Sequence, residues 1–439
     1  MPRYVHPVSP PSTVGPPARY RYSIVIPTFQ RREIVGATVS ALIRMDHPSF
    51  EIIVVVDGST DGTSAALAAM RLAVPLQVVE QQNLGASRAR NRGAALARGD
   101  IILFLDDDML AEPELLMQHD QAYADGADAV LGHMPVAASS PRSFLSRGVA
   151  QWAEERRERL AHTGGGLTLP DLLTGQLSVR RGLFESLNGF DEHFTRGGSF
   201  GGEDTDFGKR LLDARYHVVF APAAVSSQHY AVSPRSNLQQ WHQAGHADVT
   251  YVRKHPGEHD QIFASHRPHR RTNEYLLRPL ARVPAISTPV AAVGRRVVVA
   301  LAQRRPESST VGKLFFLVRN LEYWRGGAGI QHPATSAFLP RALLPLGAGP
   351  ARGRQNRAVR DSGALAPAPA ETTSGPGLSF HLAQGGLERA GRHGRPPPPS
   401  SAAHLRRLLR RPADQCSTGA QGSEGSCRRL CRVPVGGKH

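Results

Sequence analysis

The stretch IILFLDDDM, Ile101–Met109, joins a continuous apolar run to three consecutive aspartates. The run Ile101–Leu105 is short and wholly apolar, which predicts a strand buried on both faces, as in a parallel sheet. Adjacent carboxylates repel one another, and a nearby cation would relieve that repulsion. If the backbone stays extended, Asp106 and Asp108 point to one side and Asp107 to the other. The stretch therefore predicts an Mg²⁺ or Mn²⁺ site at the end of a buried strand, although a solvated acidic turn is the alternative.

Strand-like and helix-like segments alternate on both sides of this stretch. Strands are predicted at Ser23–Pro27, Glu51–Asp57, Leu76–Glu80 and Ala127–Met134, and helices at Glu33–Arg44 and Ala86–Ala97. This order predicts an α/β fold with a mostly parallel central sheet, flanked by helices and joined by right-handed crossovers. The carboxyl ends of the strands then share one edge, where Pro27–Arg31, Asp57–Thr60 and Asp106–Asp108 are expected to meet.

Composition divides the chain into four predicted parts. Residues 1–20 are Pro-rich and predict a flexible leader, residues 21–260 the α/β domain, and residues 261–340 a helical extension. Residues 341–439 hold 16 Lys and Arg against 5 Asp and Glu, within a chain of net formal charge +16. Such a segment cannot bury a core, so this basic tail is expected to be disordered and dispensable for catalysis. The segment LEYWRGG, Leu321–Gly327, is expected to pack an aromatic side chain on the domain.

The positions of the cysteines and the hydropathy of the chain are used to predict its location in the cell. Cys416, Cys427 and Cys431 all lie in the tail, so the folded part is expected to contain no disulfide and no thiolate site. Their spacing, even with His439, matches no strong zinc template. The amino-terminal residues lack the apolar core of a signal peptide. The most apolar segment, 283–302, is interrupted by arginines, so we expect no membrane span. These patterns predict a cytoplasmic location, with contact at the cytoplasmic membrane face left open.

Two phosphate-binding motifs are missing. No G-x-G-x-x-G follows the first predicted strand, so a dinucleotide-dependent dehydrogenase is not expected. The pair Gly208-Lys209 lacks both the upstream glycine and the following Ser or Thr of a P-loop, so a P-loop NTPase is not expected either.

A second acidic cluster, Glu203, Asp204 and Asp206, follows the Gly-rich segment GGSFGG. Glycines before a carboxylate allow close approach of a substrate and movement of the loop. Acidic residues are also favoured at a helix start, so the cluster could simply cap a helix, above all through Asp206. Beside a metal site, Asp204 is expected to act as a catalytic base, with Glu203 as the alternative. His229 is either a surface residue or a third protein ligand of the metal.

Six motifs occur in order along the chain: SIVIPTFQR, EIIVVVDGSTDGT, NLGASRARNRGAA, DIILFLDDDM, NGFDEHF and GGEDTDFGKRL. Each is weak alone, but the ordered set, from about Tyr22 to His255, resembles the family 2 glycosyltransferases. Members of that family are inverting, nucleotide-sugar-dependent enzymes with the GT-A fold. The resemblance implies transfer of a sugar from a nucleoside diphosphate, with UDP as the expected nucleotide, to an acceptor hydroxyl.

The resemblance implies donor-binding roles for Pro27, Phe29, Asp57, Arg90 and Asp106. Pro27, Phe29 and Asp57 would hold the nucleoside, with Asp57 on the base. Arg90 would approach the donor diphosphate or the nucleoside. The family often carries two aspartates at the end of the second strand, whereas here Val56 precedes Asp57.

The resemblance also implies a metal and a base. Asp106 and Asp108 would form the DXD motif of a site for Mn²⁺ or Mg²⁺, which stabilises a leaving diphosphate as a Lewis acid. Asp204 would be the base of the ED motif and take the acceptor proton during one in-line displacement that inverts the anomeric centre. The implied partners are a nucleotide-sugar donor and a glycan, lipid-linked or small-molecule acceptor, in cell-envelope or polysaccharide synthesis.

Three other functions remain open at this stage. A nucleotidyltransferase or another sugar-nucleotide enzyme could use the same fold, because fold does not fix function. A glycoside hydrolase could use two carboxylates without a nucleotide. A nucleic-acid-binding protein could act through the basic tail, although no specific nucleic acid is expected as a partner. The sequence identifies neither the donor sugar nor the acceptor.

Overall fold

A computed structural model of the chain describes residues 20–162, 167–264 and 270–328. The described strands are Tyr22–Thr28 (β1), Phe50–Asp57 (β2), Leu76–Gln81 (β3), Ile101–Leu105 (β4), Met109–Ala111 (β5), Ala129–His133 (β6), Gln176–Arg180 (β7) and Val218–Gln228 (β8). They form one sheet of eight strands in the order β3-β2-β1-β4-β7-β6-β8-β5. The expected strands are all present, and the short β5 is an addition.

The sheet is mostly parallel. β1 pairs in parallel with β2 and β4, β2 with β3, and β6 with β8. β7 runs antiparallel to both neighbours, and β5 runs antiparallel to β8. The predicted fold class, an α/β protein with a mostly parallel sheet flanked by helices, is therefore confirmed. Since β1, β2 and β4 point the same way, their carboxyl ends lie at one edge.

Helices cover the sheet and continue beyond it. The described α-helices are Arg32–Leu42 (α1), Thr63–Ala68 (α2), Ala86–Leu96 (α3), Leu115–Ala124 (α4), Phe144–His162 (α5), Arg181–Ser186 (α6), Glu203–Asp213 (α7), Pro234–Lys254 (α8), His259–Ala264 (α9), Arg270–Thr272 (α10), Arg278–Ala281 (α11), Pro284–Arg304 (α12) and Ser309–Gly326 (α13). Short 3₁₀ turns lie at Leu169–Asp171, Arg196–Gly198 and Pro256–Glu258, and a π-helical turn lies at Asn273–Leu277.

Two hydrophobic cores lie on opposite faces of the sheet. Side chains alternate along each strand, so Ile24 and Ile26 of β1 pack on one face and Val25 packs on the other. The same holds for β4, where all five side chains are buried. Burial on both faces explains why this strand is a continuous apolar run rather than an alternating one.

The carboxyl-terminal helices pack on α8. Tyr323 and Trp324 of α13 are both buried, which confirms the expectation for the LEYWRGG segment. The Tyr323 hydroxyl donates to Asp248 Oδ2 at 2.6 Å. The two helices approach closely, because a Cβ added to Gly245 would lie 2.0 Å from the Tyr323 carbonyl oxygen. The predicted domain limits at 20, 260 and 340 stay predictions, since nearly all of the leader, residues 329–340 and the tail lie outside the described residues.

Helix α12 bears on the expectation of no membrane span, which stays a prediction. By length and composition alone it is apolar enough to cross a membrane, with a mean hydropathy of 1.4, and only 22% of that window is buried. Its buried residues, Ser287, Ala291, Val298 and Ala302, form one face. Arg295 and Arg296 lie in this apolar helix rather than ending it, because both side chains reach the surface.

Candidate functional site

The three aspartates follow β4 in a turn. The Met109 amide donates to the Asp106 carbonyl oxygen at 3.2 Å, which closes the turn. The expectation of extended backbone at Asp106–Asp108 is therefore wrong, and the alternation of side chains that it implied does not apply. Asp106, Asp107 and Asp108 nevertheless all line one cavity at this edge of the sheet.

Asp107 is held in place by neighbouring polar groups. Its Oδ2 accepts from the Thr28 hydroxyl at 2.7 Å, and its Oδ1 accepts from Arg31 Nη1 at 2.8 Å. Its carbonyl oxygen accepts from the Thr38 hydroxyl at 2.6 Å. These contacts tie the turn to the end of β1 and to α1, so Asp107 fixes the position of its two neighbours.

Asp108 is a buried carboxylate that lacks a full set of partners. Its Oδ2 lies 3.4 Å from Arg31 Nη1 and 3.4 Å from Gln228 Nε2, whereas its Oδ1 is buried without a hydrogen-bond partner among the described residues. Burial raises the pKa of Asp108 to about 7, and the charges of Asp106 and Asp107 add to this effect. A hard cation would satisfy the orphaned oxygen, so the donor set fits Mg²⁺ or Mn²⁺.

Arg90 joins the two acidic clusters. Its Nη2 donates to Asp106 Oδ1 at 2.8 Å and its Nη1 donates to Glu203 Oε1 at 2.9 Å. Burial opposes the charge of Arg90, but Asp106 and Glu203 raise its pKa, so it stays a cation. The predicted contact of Arg90 with the donor stays a prediction. In this structure the guanidinium holds the end of β4 against the start of α7.

Glu203 and Asp204 begin α7 after two glycines with positive φ. Gly201 and Gly202 have φ of 93° and 95°, a conformation that side chains disfavour, and a Cβ on Gly202 would lie 2.5 Å from the Phe194 ring. Glu203 is buried against Arg90, whereas Asp204 is partly exposed and lines the cavity. The geometry therefore favours Asp204 over Glu203 as the group that reaches a substrate.

Asp206 has a structural role. It is fully buried, and it accepts from Lys254 Nζ at 2.7 Å and from His255 Nε2 at 2.9 Å. Arg210, one turn along α7, donates from its Nε to Asp206 Oδ2 at 3.0 Å. Asp206 therefore anchors α7 to the end of α8, in agreement with its assignment to the helix start.

The predicted nucleoside-binding residues lie beside the cavity rather than in its lining. Pro27 and Phe29 follow β1, and the Phe29 side chain is exposed. Asp57 ends β2 and accepts from the Leu84 and Gly85 amides, each at 2.8 Å. These bonds hold the loop before α3 at the same edge of the sheet, as the parallel strands predicted. A role in nucleoside binding stays a prediction.

The predicted third metal ligand, His229, contacts the aspartate turn through its backbone. The His229 amide donates to the Asp108 carbonyl oxygen at 2.7 Å, but its ring Nδ1 lies 3.1 Å from the Ser139 hydroxyl. Across the described ranges, no group of three or more His, Cys, Asp and Glu side chains is arranged to hold a metal ion. Ligation by His229 stays a prediction, and the structure offers two carboxylates, Asp106 and Asp108, to which donor phosphates and water could add.

The far wall of the cavity comes from α8 and α13. The cavity has a volume of about 290 Å³ and runs from the aspartate turn to Trp241 and Arg319. Tyr230, after β8, lines it between these ends. Burial raises the pKa of the Tyr230 phenol; the Arg319 charge opposes this and the Asp108 charge adds to it.

Sequence reasoning assigned no role to four residues of this site: Arg31, Tyr230, Trp241 and Arg319. Arg31 belongs to the motif SIVIPTFQR, so its place next to the first strand was a usable signal. The other three had none. Arg319 is one of many arginines in the extension, and only tertiary packing distinguishes it.

Two known protein families match the part of the chain that contains most of the strands. The family described as "Glycosyl transferase family 2" matches residues 23–187. The family described as "N-terminal domain of galactosyltransferase" matches residues 157–232. The two ranges together contain the aspartate turn, Arg90, Glu203 and Asp204.

Individual relatives agree with these matches. Validoxylamine A glucosyltransferase of Streptomyces hygroscopicus subsp. jinggangensis is 29% identical over 273 residues, which cover 55% of this chain and 62% of that protein. Hyaluronan synthase of Pasteurella multocida is 29% identical over 225 residues, 43% of this chain and 22% of that protein. The chain spans less than two thirds of the length of these relatives. Among solved structures, the mannosyltransferase PcManGT from Pyrobaculum calidifontis, in complex with GDP-Man and Mn²⁺, is 19% identical with a TM-score of 0.47; the match covers 72% of this chain and 89% of that one.

Proposed function

Since the chain belongs to glycosyl transferase family 2, we propose that it transfers a sugar from a nucleoside diphosphate to an acceptor hydroxyl in glycan synthesis. The expected donor is a UDP-sugar, and the expected course is a single displacement with inversion. The observation that carries this proposal is one cavity lined by Asp106, Asp108 and Asp204 at the carboxyl end of β4. Open α/β sheets bind ligands at that edge.

Asp204 is proposed as the general base. A base must reach the proton that it removes, and Asp204 lines the cavity on the first turn of α7. Its neighbour Glu203 is engaged with Arg90 at 2.9 Å, so its charge is already compensated. The attacking oxygen is therefore proposed to lie next to Asp204, with Glu203 and Arg90 holding the start of the helix.

Asp106 and Asp108 are proposed to hold the divalent cation. When bound, Mn²⁺ or Mg²⁺ would supply positive charge to the leaving diphosphate. The orphaned Oδ1 of Asp108 and its pKa of about 7 support this assignment, because a buried carboxylate with a raised pKa gains most from a cation. Pro27, Phe29 and Asp57 are proposed to hold the nucleoside at the adjoining strand ends.

A panel of nucleotide sugars tests this function. The purified chain is mixed with each donor in Mn²⁺ or Mg²⁺, and release of the nucleoside diphosphate is measured with and without mixed acceptors. Metal-dependent release of UDP from one donor is the expected result. Release of inorganic pyrophosphate instead would indicate nucleotidyl transfer, and cleavage of glycosides without nucleotide would indicate a hydrolase.

We also propose that α12 contacts the surface of an anionic membrane on the cytoplasmic side. The side chains of Ile286, Val290, Val293 and Val297 are between 46% and 61% exposed, and their spacing places them on one helix face. That face lies opposite the buried one. Arg282 and Arg304 are exposed at its two ends, which complements anionic lipid headgroups. A helix packed on one face and apolar on the other suits binding in the plane of a membrane better than crossing it.

Sedimentation with vesicles tests the membrane contact. The full chain is expected to bind vesicles of phosphatidylglycerol and phosphatidylcholine, and Val293→Asp is expected to weaken this binding at least about tenfold, because a charge would enter the apolar layer. Met117→Asp is the matched control: Met117 is 41% exposed on α4, far along the chain, and its replacement is expected to change nothing. If α12 instead joins two copies of the chain, Val293→Asp will split a dimer and vesicle binding will be absent.

A further inference from the structure

A buried arginine that has no acidic partner among the described residues lies in the wall of the cavity. Arg319, on α13, is 2% exposed. Its Nε and Nη2 are buried and have no hydrogen-bond partner, and no ion pair involves it within the part of the chain that the structure describes. An unpaired buried cation is strongly unfavourable, because burial removes its hydration and no opposite charge replaces it.

Aromatic rings hold the guanidinium of Arg319 without satisfying its donors. Its central carbon lies 3.9 Å from the centroid of the Trp241 ring and 4.3 Å from that of Phe316. Ring faces attract the cation, but they do not accept hydrogen bonds from N–H groups that lie in the guanidinium plane. The two rings therefore pack on the guanidinium, while Arg319 also lines the cavity.

Among the residues that the structure describes, no carboxylate forms an ion pair with Arg319. Asp248, the acidic residue on the neighbouring helix that also lines the cavity, accepts from the Tyr323 hydroxyl at 2.6 Å. Burial lowers the pKa of Arg319 to about 9, and the Tyr230 phenol opposes this effect. Arg319 is therefore still charged near neutral pH.

We propose that Arg319 binds an anionic group of the acceptor, a carboxylate or a phosphate ester, in the same cavity as Asp204. The guanidinium edge matches such groups in a fork geometry, and Trp241 and Phe316 supply apolar walls for the body of a sugar. This inference rests on the proposed function only where it identifies the bound molecule as the acceptor. The anion site itself rests only on the contacts of Arg319.

Binding of small anionic sugars tests the site without donor or metal. The full chain is titrated with glucuronate, glucose 6-phosphate and glucose, and tryptophan fluorescence is followed because Trp241 contacts the site. At least one of the two anionic sugars is expected to bind at least about tenfold more tightly than glucose, the scale of a charge-assisted hydrogen bond. Which of the two binds identifies the group as a carboxylate or a phosphate.

Variants separate binding from a structural role. Arg319→Met keeps the aliphatic length and removes the charge, so it is expected to lose the preference for anions without lowering the melting temperature. Arg319→Lys keeps the charge without the fork and is expected to retain part of the preference. Arg325→Met is the matched control on the same helix: Arg325 pairs with Glu322 at 2.8 Å and lies outside the cavity lining, so the preference is expected to be unchanged.

Equal affinity for the three sugars would overturn the proposal, as would a preference that survives in Arg319→Met. A lower melting temperature in Arg319→Met together with no anion preference in the native chain would identify Arg319 as a structural cation. If the anion preference is present but no nucleotide sugar is turned over, the anion site stands and the proposed function fails. If turnover is found but acceptor KM is the same in Arg319→Met for every acceptor, the function stands and this proposal fails.

Discussion

Replacing Asp204 by asparagine is expected to reduce kcat at least ~10²-fold while donor binding is kept, the usual scale for loss of a general base. The amide keeps the size of the side chain and its place on the first turn of α7, but it cannot accept the acceptor proton. The measurement is steady-state transfer together with direct titration of UDP. Loss of UDP affinity with normal turnover would instead make Asp204 a binding residue.

Two further variants show whether that result is specific to Asp204. Asp213→Asn removes an exposed carboxylate from the last turn of the same helix, where it pairs with Lys209, and is expected to leave kcat unchanged. Glu203→Gln breaks the contact with Arg90 and tests the alternative base. If Glu203→Gln alone removes turnover and Asp204→Asn does not, the assignments of the two residues must be exchanged.

Replacing Asp108 by alanine is expected to abolish transfer and metal-dependent UDP binding. Asp108 is a buried carboxylate with an orphaned oxygen, so its removal takes away a group that a cation would stabilise. UDP affinity is measured with and without Mn²⁺, and Asp125→Ala, at an exposed position after α4, is the control. Full activity of Asp108→Ala in EDTA would contradict the proposal.

The pH dependence of cation binding gives a second measure of Asp108. Its pKa, about 7, is raised above the ordinary value of the unfolded chain. Protonation of Asp108 therefore adds to the free energy of unfolding of the metal-free protein. This contribution is complete below the pKa that Asp108 has in the unfolded chain, and it is lost as pH rises through about 7. A cation competes with that proton, so Mn²⁺ affinity is expected to rise up to about tenfold per pH unit below pH 7 and to level off above it. Asp108→Asn is expected to remove this dependence.

The strand and helix pattern could be read from the sequence because it depends on local periodicity. β1, β2 and β4 are short apolar runs buried on both faces, and such runs leave a clear signal. β5 left none, since Met109–Ala111 pairs with β8 across a long separation in the chain. The turn at Asp106–Asp108 was missed for a different reason. Its closing hydrogen bond is local, but three aspartates after an apolar run are equally compatible with the end of a strand.

The candidate site was predictable where a motif carried it. Asp106, Asp108 and Asp204 were expected to act together, and they line one cavity. The side-chain contacts that distinguish the roles of these carboxylates could not be predicted from the sequence. For example, the contact of Arg90 with Glu203 joins residues 113 positions apart. Arg319 was hidden for the same reason, since only the folded structure shows that no carboxylate of the described residues pairs with it.

The cavity is lined partly by the family-matched part of the chain and partly by helices that follow it. Its floor, the aspartate turn, lies in the family-matched part, whereas Trp241 and Arg319 belong to helices that follow it. A gene that exchanged only the helices after β8 would therefore keep the strand ends that carry the proposed donor site and acquire a different opposite wall. New acceptor preferences could arise by recombination at this junction, without change to the residues proposed to perform the chemistry.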